Sequence, residues 1–225
     1  MKIAKILLVF LLIGLSFSTK PKVTIYAESY CPDCVEFEAS ALSKFVNNPS
    51  RHLLADLDLI VFGNASETKN ESGYTYKCQH GEKECRGNLV ESCVQKVLES
   101  DLAEKRLVCV AQSMQRQWGD VESKVYNCLE SIQEKTLVED CVKNQSAEVM
   151  HDIASRTGDH RYVPWVILDG VHNDDIQHAF EDDMVGYLCK LNDLVGKVEG
   201  CPSRKYQSKC YNFETSSETD LKFLN

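Results

Sequence analysis

The chain has 225 residues, of which 25 are Lys or Arg and 34 are Asp or Glu, so its formal net charge is -9. With 43% hydrophobic and 26% charged residues, the composition is that of a globular protein and excludes intrinsic disorder. The acidic excess excludes a general nucleic-acid binder, because such proteins neutralise phosphates with Lys and Arg.

The N-terminus has the pattern of a secretory signal peptide, which we predict over residues 1–18. Lys2 and Lys5 precede an apolar run at 6–15, and the small residue Ser18 offers a cleavage site. This apolar run is too short to cross a bilayer core of ~30 Å, and no later segment is long and apolar enough. We therefore expect a secretory-pathway protein without a membrane span, resident in lysosomes or outside the cell.

The first elements are predicted to be a strand, a helix and a second strand. The β-branched and aromatic run 23–27 predicts a strand, and apolar spacing over 34–45 predicts a helix that stops before Pro49. A second strand follows at 57–62. This order predicts a parallel strand pair, and a strand that leads through a CxxC motif into a helix is also the beginning of a thioredoxin fold.

The remainder of the chain is predicted to be a helical block followed by two strands and a helix. Asp169 and Gly170 form a hairpin turn after a strand at 163–168, and Val171 begins the return strand. The polar stretch 63–73, which contains Asn64 and Asn70, predicts a surface loop. Apolar positions at helical spacing predict helices over 89–98, 107–118, 121–132, 138–149 running towards 153, and 176–195.

Three Asn-x-Ser sequons, at Asn64, Asn70 and Asn144, are candidate glycosylation sites. Eleven cysteines in an oxidising compartment should be mostly paired, and their odd number leaves at least one free or bonded to another molecule. We expect a local disulfide between Cys201 and Cys210. The candidates for structural disulfides are Cys78, Cys85, Cys93, Cys109, Cys128, Cys141, Cys189, Cys201 and Cys210.

Cys31 and Cys34 form the CxxC motif at the junction between the first strand and helix. The unpaired N–H groups and the dipole of a helix N-terminus favour the thiolate of Cys31, the form that attacks a disulfide. Cys34 can then resolve the mixed disulfide. A bare CxxC motif also occurs in zinc knuckles and structural bridges.

Acidic residues around the motif oppose this effect. Asp33 lies between the two cysteines, and its carboxylate is expected to disfavour the Cys31 thiolate. Three further residues add negative charge nearby: Glu28, Glu36 and Glu38.

The stretch 78–93 resembles the signature of the gamma-interferon-inducible lysosomal thiol reductase family, Cys-Gln-His-Gly-x-x-Glu-Cys-x-x-Asn-x-x-x-x-Cys. Together with the CxxC motif and the strand at 163–168, the resemblance extends over about residues 22–210. It implies an α/β, thioredoxin-like fold over 19–213, with a disulfide-braced helical insertion at about 78–155 and a polar tail at 214–225. The matching residues are Cys78, Gln79, His80, Gly81, Glu84, Cys85, Asn88 and Cys93.

The resemblance also implies the reduction of disulfides in endocytosed proteins inside acidic compartments, with Cys31 and Cys34 as the catalytic pair. Val163 and Pro164 would line the substrate-binding side, because a proline at this place in thioredoxin-like folds is usually cis and lies beside the CxxC motif. The implied partners are disulfide-bonded proteins and a small-thiol reductant, and no cofactor or metal is needed. Family members often carry a pro-segment, whereas here the first strand begins shortly after the predicted cleavage site.

Several alternatives stay open at the level of sequence. The same dithiol serves isomerases and oxidases, which differ from reductases in reduction potential, and a non-enzymatic binding protein can keep the same fold. A saposin-like lipid binder leaves the flanking strands unexplained. Zinc ligation is the alternative for four residues, although their gaps of 2, 5 and 8 do not match a zinc ribbon. They are Cys78, His80, Cys85 and Cys93.

Overall fold

The computed structural model describes residues 20–71 and 73–202. The predicted signal peptide, the polar tail and Cys210 lie outside these residues. In chain order the elements are β1 (Lys22–Ala27), α1 (Pro32–Phe37), α2 (Ser43–Val46), α3 (Arg51–Leu54), β2 (Asp56–Val61), β3 (Ser66–Asn70), β4 (Gly73–Lys77), α4 (Glu82–Val97), α5 (Ser100–Arg116), α6 (Val121–Cys128), α7 (Ile132–Asn144), α8 (Ser146–Arg156), β5 (Trp165–Leu168) and α9 (Asp174–Leu191).

The central sheet has the strand order β2-β1-β5. β1 pairs in parallel with β2, where Ile25 lies opposite Leu59, and antiparallel with β5, where Ile25 lies opposite Val166. Alternate residues of β1 have no exposed surface, as expected for the middle strand of a covered sheet. The predicted parallel pair and the mixed α/β class are confirmed.

The predicted return strand after β5 is wrong. Asp169 and Gly170 turn the chain with positive φ angles of 48° and 83°, as the sequence predicts. Beyond the turn, however, Val171 forms only an isolated bridge to Leu168. The chain leaves the sheet there, because Asn173 caps α9 by accepting a hydrogen bond from the backbone N–H of Ile176 at 2.8 Å.

The first helix begins directly after the dithiol loop. Pro32 occupies its first turn, where a missing N–H costs nothing. A π-helical turn, Glu38–Leu42, joins α1 to α2, and the helical segment ends at Val46. Phe37 and Phe45 are buried by it in the core.

The helical block, α4–α8, contains five helices where the sequence predicts four. The predicted helix 121–132 stops at Cys128, because Ser131 starts a new helix by accepting the backbone N–H of Glu134. The predicted helix 138–149 is divided at Gln145, where α7 ends and α8 begins. Two nested disulfides, Cys93–Cys141 and Cys109–Cys128, tie these helices together.

The polar stretch predicted as a loop contains a strand instead. β3 pairs with β4 as a hairpin in which Thr68 lies opposite Thr75. Tyr74 stacks on His151 of α8, with ring centroids 4.2 Å apart. Most residues of β3 are exposed, so the strand lacks the apolar alternation that reveals a half-buried strand in a sequence.

The segment after α9 is fixed by a disulfide between Cys189 and Cys201. The expected bond from Cys201 to Cys210 is therefore wrong. A turn after α9 brings the chain back, so that Cys201 reaches the buried last turn of the helix. Among the residues described, no helix combines the length and apolar character that crossing a bilayer requires.

Candidate active site

The two thiols of the CxxC motif meet at the N-terminus of α1. Cys31 is the N-cap residue, and its Sγ accepts a hydrogen bond from the backbone N–H of Cys34 at 3.2 Å. Cys31 is 6% exposed and Cys34 is fully buried, and within the described part of the chain they are the two cysteines without a disulfide. Of the two, only Cys31 has exposed surface.

The pKa values of the two thiols shift in opposite directions. Hydrogen bonding from the Cys34 side chain lowers the pKa of Cys31, and the backbone N–H groups of Cys34 and Asp33 act in the same sense, against burial and the charge of Glu28. Burial raises the pKa of Cys34 well above its ordinary value, and its interactions with Cys31 and Glu38 raise it further. Of the two thiols, Cys31 is therefore the more readily ionised.

The expectation that the Asp33 carboxylate is the charge opposing the thiolate needs correction. Asp33 is exposed, and its backbone N–H stabilises the charged form of Cys31. The carboxylate that raises the pKa of Cys31 belongs to Glu28, which is buried at the end of β1. Water screens an exposed charge more strongly than a buried one, so Glu28 has the larger effect.

Two buried carboxyl groups, Glu38 and Glu91, interact with each other, and Glu38 also interacts with both thiols. Glu38 is one helical turn after Cys34, and Glu91 comes from α4. Burial raises the pKa of Glu38 well above its usual range, with added repulsion from Glu91 and Cys31. Burial also raises the pKa of Glu91 to about 8. Both groups are neutral in acid, which removes their negative charge from the surroundings of the thiols.

The signature residues form an ion-pair network beside Cys31. The ring Nδ1 of His80 pairs with the Glu84 carboxylate and lies 3.7 Å from Oε1 of Glu28. The other oxygen of Glu28 accepts the backbone N–H of Asn64 at 2.9 Å. Burial raises the pKa of Glu28, and hydrogen bonding to Glu84 raises the pKa of His80. The positive charge of a protonated His80 balances the negative charge of Glu84, and Glu28 adds no charge when it is protonated.

Glu28, His80 and Glu84 could together bind a metal ion, since one ligand atom of each lies within 4.8 Å of the others. The ion pair of His80 with Glu84 accounts for their charges without a metal. The zinc alternative built on three cysteines and His80 is wrong, because all three cysteines form disulfides. These are Cys78–Cys85, which closes the loop carrying His80, and Cys93–Cys141.

α4 packs directly against the loop that precedes Cys31. The backbone N–H of Ser29 donates to Oδ1 of Asn88 at 2.9 Å, and the Ser29 hydroxyl donates to the Glu84 carbonyl at 3.3 Å. A Cβ atom at Gly87 would overlap the Ser29 hydroxyl. The conformation of the loop before Cys31 thus depends on three residues of α4: Glu84, Gly87 and Asn88.

The chain passes Cys31 a second time at Val163 and Pro164. The carbonyl oxygen of Val163 lies 3.7 Å from Cys31 Sγ. The peptide bond between Val163 and Pro164 is cis. The buried Gln177 of α9 donates to the Pro164 carbonyl at 3.1 Å and accepts the N–H of Val166 at 2.9 Å. α9 therefore holds this segment against the thiol.

The three sequon asparagines are all exposed. The side-chain amide of Asn64 donates to Gln79 Oε1 at 2.6 Å, so this sequon lies next to the signature network. The amide of Asn144 donates to Asp140 at the end of α7. Asn70 ends β3, at the tip of the hairpin.

Sequence reasoning missed several residues of the site. It treated Glu28 as background acidity, although this carboxyl group contacts the signature network, and it did not single out Glu91 or Ser29. Glu91 follows Asn88 by three residues in a helix, so the signature placed both on one face. Gln177 gave no signal, because its role depends on where α9 packs.

Two free thiols with opposite pKa shifts at the start of a helix have the chemistry of a dithiol oxidoreductase. Residues 22–145 match the family model described as gamma interferon inducible lysosomal thiol reductase (GILT). The chain belongs to this family, as its signature predicts, and the family is one of thiol reductases, a class of oxidoreductase.

Three relatives show how far the similarity extends. A gamma-interferon-inducible lysosomal thiol reductase of Carassius auratus is 32% identical, over 79% of this chain and 71% of the relative. A gamma-interferon-responsive lysosomal thiol protein of Arabidopsis thaliana is 31% identical, over 80% and 74%. The thiol reductase of the same name as the first, from Mus musculus, is 28% identical, over 81% and 72%.

Proposed function

We propose that the protein reduces disulfide bonds of polypeptide substrates through Cys31 and Cys34. The observation that carries the proposal is the hydrogen bond from the Cys34 N–H to the Cys31 sulfur, within a pair whose outer thiol has a lowered pKa and whose inner thiol has a raised one. This asymmetry suits a reductase, because the accessible sulfur attacks while the buried sulfur stays protonated until it is needed.

The reaction has two exchange steps. The Cys31 thiolate attacks one sulfur of the substrate disulfide, and the other substrate sulfur leaves as a thiolate that takes up a proton. Cys34 then loses its proton and attacks Cys31, which releases the second substrate sulfur and leaves a Cys31–Cys34 disulfide. Two electrons have passed to the substrate, and a small external thiol returns the dithiol to its reduced form.

Val163 and Pro164 are proposed to line the substrate-binding side. Support comes from the Val163 carbonyl oxygen, which lies 3.7 Å from the Cys31 sulfur. The arrangement of β1, the dithiol, α1 and β2, with Pro164 beside the dithiol, supports a thioredoxin-like fold for this part of the chain, with α4–α8 as the insertion.

The secretory or lysosomal route is part of the proposal. It is supported by the predicted signal peptide, by four disulfides in the described residues and by the lysosomal names of the relatives. The three sequons are proposed to carry glycans there. An acidic lumen also suits the buried carboxyl groups at Glu38 and Glu91, which are neutral in acid.

The proposal is tested with two matched variants and a disulfide-bonded protein substrate. Cys34→Ser should accumulate a mixed disulfide with the substrate, because attack remains possible while resolution is lost. Cys31→Ser should lose both turnover and trapping. Non-reducing electrophoresis and a turnover assay at acid and neutral pH give the two readouts. Wild-type turnover in Cys31→Ser would overturn the mechanism.

A further inference from the structure

Two exposed aromatic rings, Trp118 and Tyr162, lie close to the segments that reach Cys31. Trp118, in the loop between α5 and α6, is 50% exposed and packs edge to face on Tyr30, with ring centroids 6.3 Å apart. Tyr30 immediately precedes Cys31. Tyr162 is 39% exposed and precedes Val163, whose carbonyl oxygen lies beside the Cys31 sulfur. An exposed aromatic ring thus lies beside each of the two chain segments that reach the thiol, and we call these two rings the dithiol rim.

The ring of Trp118 rests on a firmly held neighbour. The hydroxyl of Tyr30 accepts the backbone N–H of Val121 at 3.1 Å and lies 3.5 Å from the carboxylate of Asp120. The Cys109–Cys128 disulfide links the two helices on either side of the Trp118 loop. A ring that is already held in place loses little conformational entropy when a ligand binds.

Tyr162 is supported in a similar way from the other segment. Its ring packs edge to face on the buried Trp165, with centroids 4.8 Å apart. The guanidinium of Arg161 lies over the same Trp165 ring, 5.7 Å from its centroid. Each exposed ring therefore presents apolar surface that is packed on a residue close in sequence to Cys31 or to Val163.

The recessed thiol limits what can bind there. With 6% of Cys31 exposed, a disulfide reaches the sulfur only on a segment that bends into the site. Cysteines are among the most buried residues of folded proteins, so the neighbours of a structural disulfide are commonly apolar. Such a disulfide becomes accessible when its protein unfolds, and it then arrives with exposed apolar side chains beside it.

We propose that Trp118 and Tyr162 bind the apolar side chains that flank a disulfide in an unfolded polypeptide, and that they thereby set the substrate preference of the dithiol. The inference rests on the proposed reductase function and extends the same site. The occupant is a polypeptide because the rings lie beside the two segments that carry Cys31 and the Val163 carbonyl, and that carbonyl loses its thiol donor once Cys31 is ionised. An extended chain with a disulfide would engage the sulfur and the carbonyl together.

The test compares three disulfides: a peptide disulfide flanked by Leu and Phe, the same peptide flanked by Ser and Gly, and cystamine. Wild-type protein should show a higher kcat/KM for the apolar peptide than for the polar one. In Trp118→Ala/Tyr162→Ala this ratio should fall about tenfold, mainly through KM, because large aromatic contacts are lost. Each single variant should show part of the loss.

The matched control is Ile132→Ala, which removes an apolar side chain that is 86% exposed on α7, outside the dithiol rim. Its ratio should equal that of the wild type. Equal kcat/KM of the wild type for both peptides, an unchanged ratio in the double variant, or a parallel loss for all three disulfides would overturn the inference alone. A folded wild type that reduces none of the three would instead overturn the proposed function.

Discussion

The side-chain oxygen of Asn88 accepts a hydrogen bond from the backbone N–H of Ser29 at 2.9 Å, inside the protein and 59 residues away along the chain. This bond joins the signature helix to the loop that ends at Cys31. Because the Glu84 carbonyl accepts the hydroxyl of the same serine and Gly87 leaves room for it, α4 supports the backbone of the dithiol loop.

Replacing Asn88 should therefore destabilise the protein. In Asn88→Ala the Ser29 N–H stays buried without an acceptor, which costs about 1–3 kcal/mol of unfolding free energy. Urea denaturation measures the loss. Lys83→Ala, at an exposed position of the same helix, should stay within about 0.5 kcal/mol of the wild type. Equal stabilities of the two variants would contradict the structural role of this bond.

Glu28→Gln should lower the pKa of Cys31, because it removes the buried negative charge that opposes the thiolate. Glu28 has a raised pKa and is neutral in acid. The gain in Cys31 reactivity should thus be large at neutral pH and disappear as the pH falls. Alkylation rates of Cys31 against pH report this directly.

The control for that experiment is Asp33→Asn. Asp33 is exposed, so its removal should change the alkylation profile less than Glu28→Gln does. A larger change in Asp33→Asn than in Glu28→Gln would show that Asp33 supplies the charge that opposes the Cys31 thiolate.

Glu91→Gln should flatten the pH dependence of stability. Glu91 keeps its proton up to about pH 8 when folded but ionises from about 4.5 when unfolded. The contribution of the protonated Glu91 to the free energy of unfolding is complete below the unfolded-state pKa of about 4.5 and is lost as the pH rises through the folded-state pKa of about 8. The loss amounts to ~1.4 kcal/mol for each unit of difference between the two pKa values. At pH 8 the variant should be the more stable protein, and in acid the two should match.

Urea denaturation at acid and mildly alkaline pH tests this prediction. Glu36→Gln is the control, since Glu36 is exposed on α1 and should show the pH dependence of the wild type. If Glu91→Gln lost stability equally at both pH values, its effect would come from packing and not from ionisation.

The disulfides should differ in their contributions to stability. Removing Cys93–Cys141, which closes a loop of 48 residues, should cost about 4 kcal/mol, and removing Cys189–Cys201, with 12 residues, about 3 kcal/mol. Paired Cys→Ala variants and denaturation measure both. A larger loss for the shorter loop would show that chain entropy does not govern them, and mass mapping that links Cys201 to Cys210 would overturn the second bond.

Much of the site could be predicted because its signals are local. The spacing of Cys31 and Cys34 and the preceding β-branched run identify the dithiol and the first strand within a dozen residues. The fixed spacing from Cys78 to Cys93 identifies the family. These patterns need no knowledge of which distant segments meet.

The rest depends on packing between segments that are far apart in the chain. The sequence shows Glu28 and Asp33 as equals, and only burial makes Glu28 the stronger influence on the thiol. Gln177 supports the Pro164 segment through α9, whose position is set by the whole core. The strand β3 was missed because its side chains face water and carry no hydrophobic period.

The burial of two structural disulfides, Cys93–Cys141 and Cys189–Cys201, has a consequence for a protein whose dithiol would be reduced again by free thiols. Thiol–disulfide exchange needs a thiolate to reach a sulfur atom. Cys93, Cys141 and Cys189 have no exposed surface, and Cys201 has 5%. A small thiol of the kind proposed to restore the Cys31–Cys34 pair would be kept away from these two bonds by the core itself. It would reach them only when the surrounding core opens, so the frequency of that opening sets how long the two bonds last in a reducing solution.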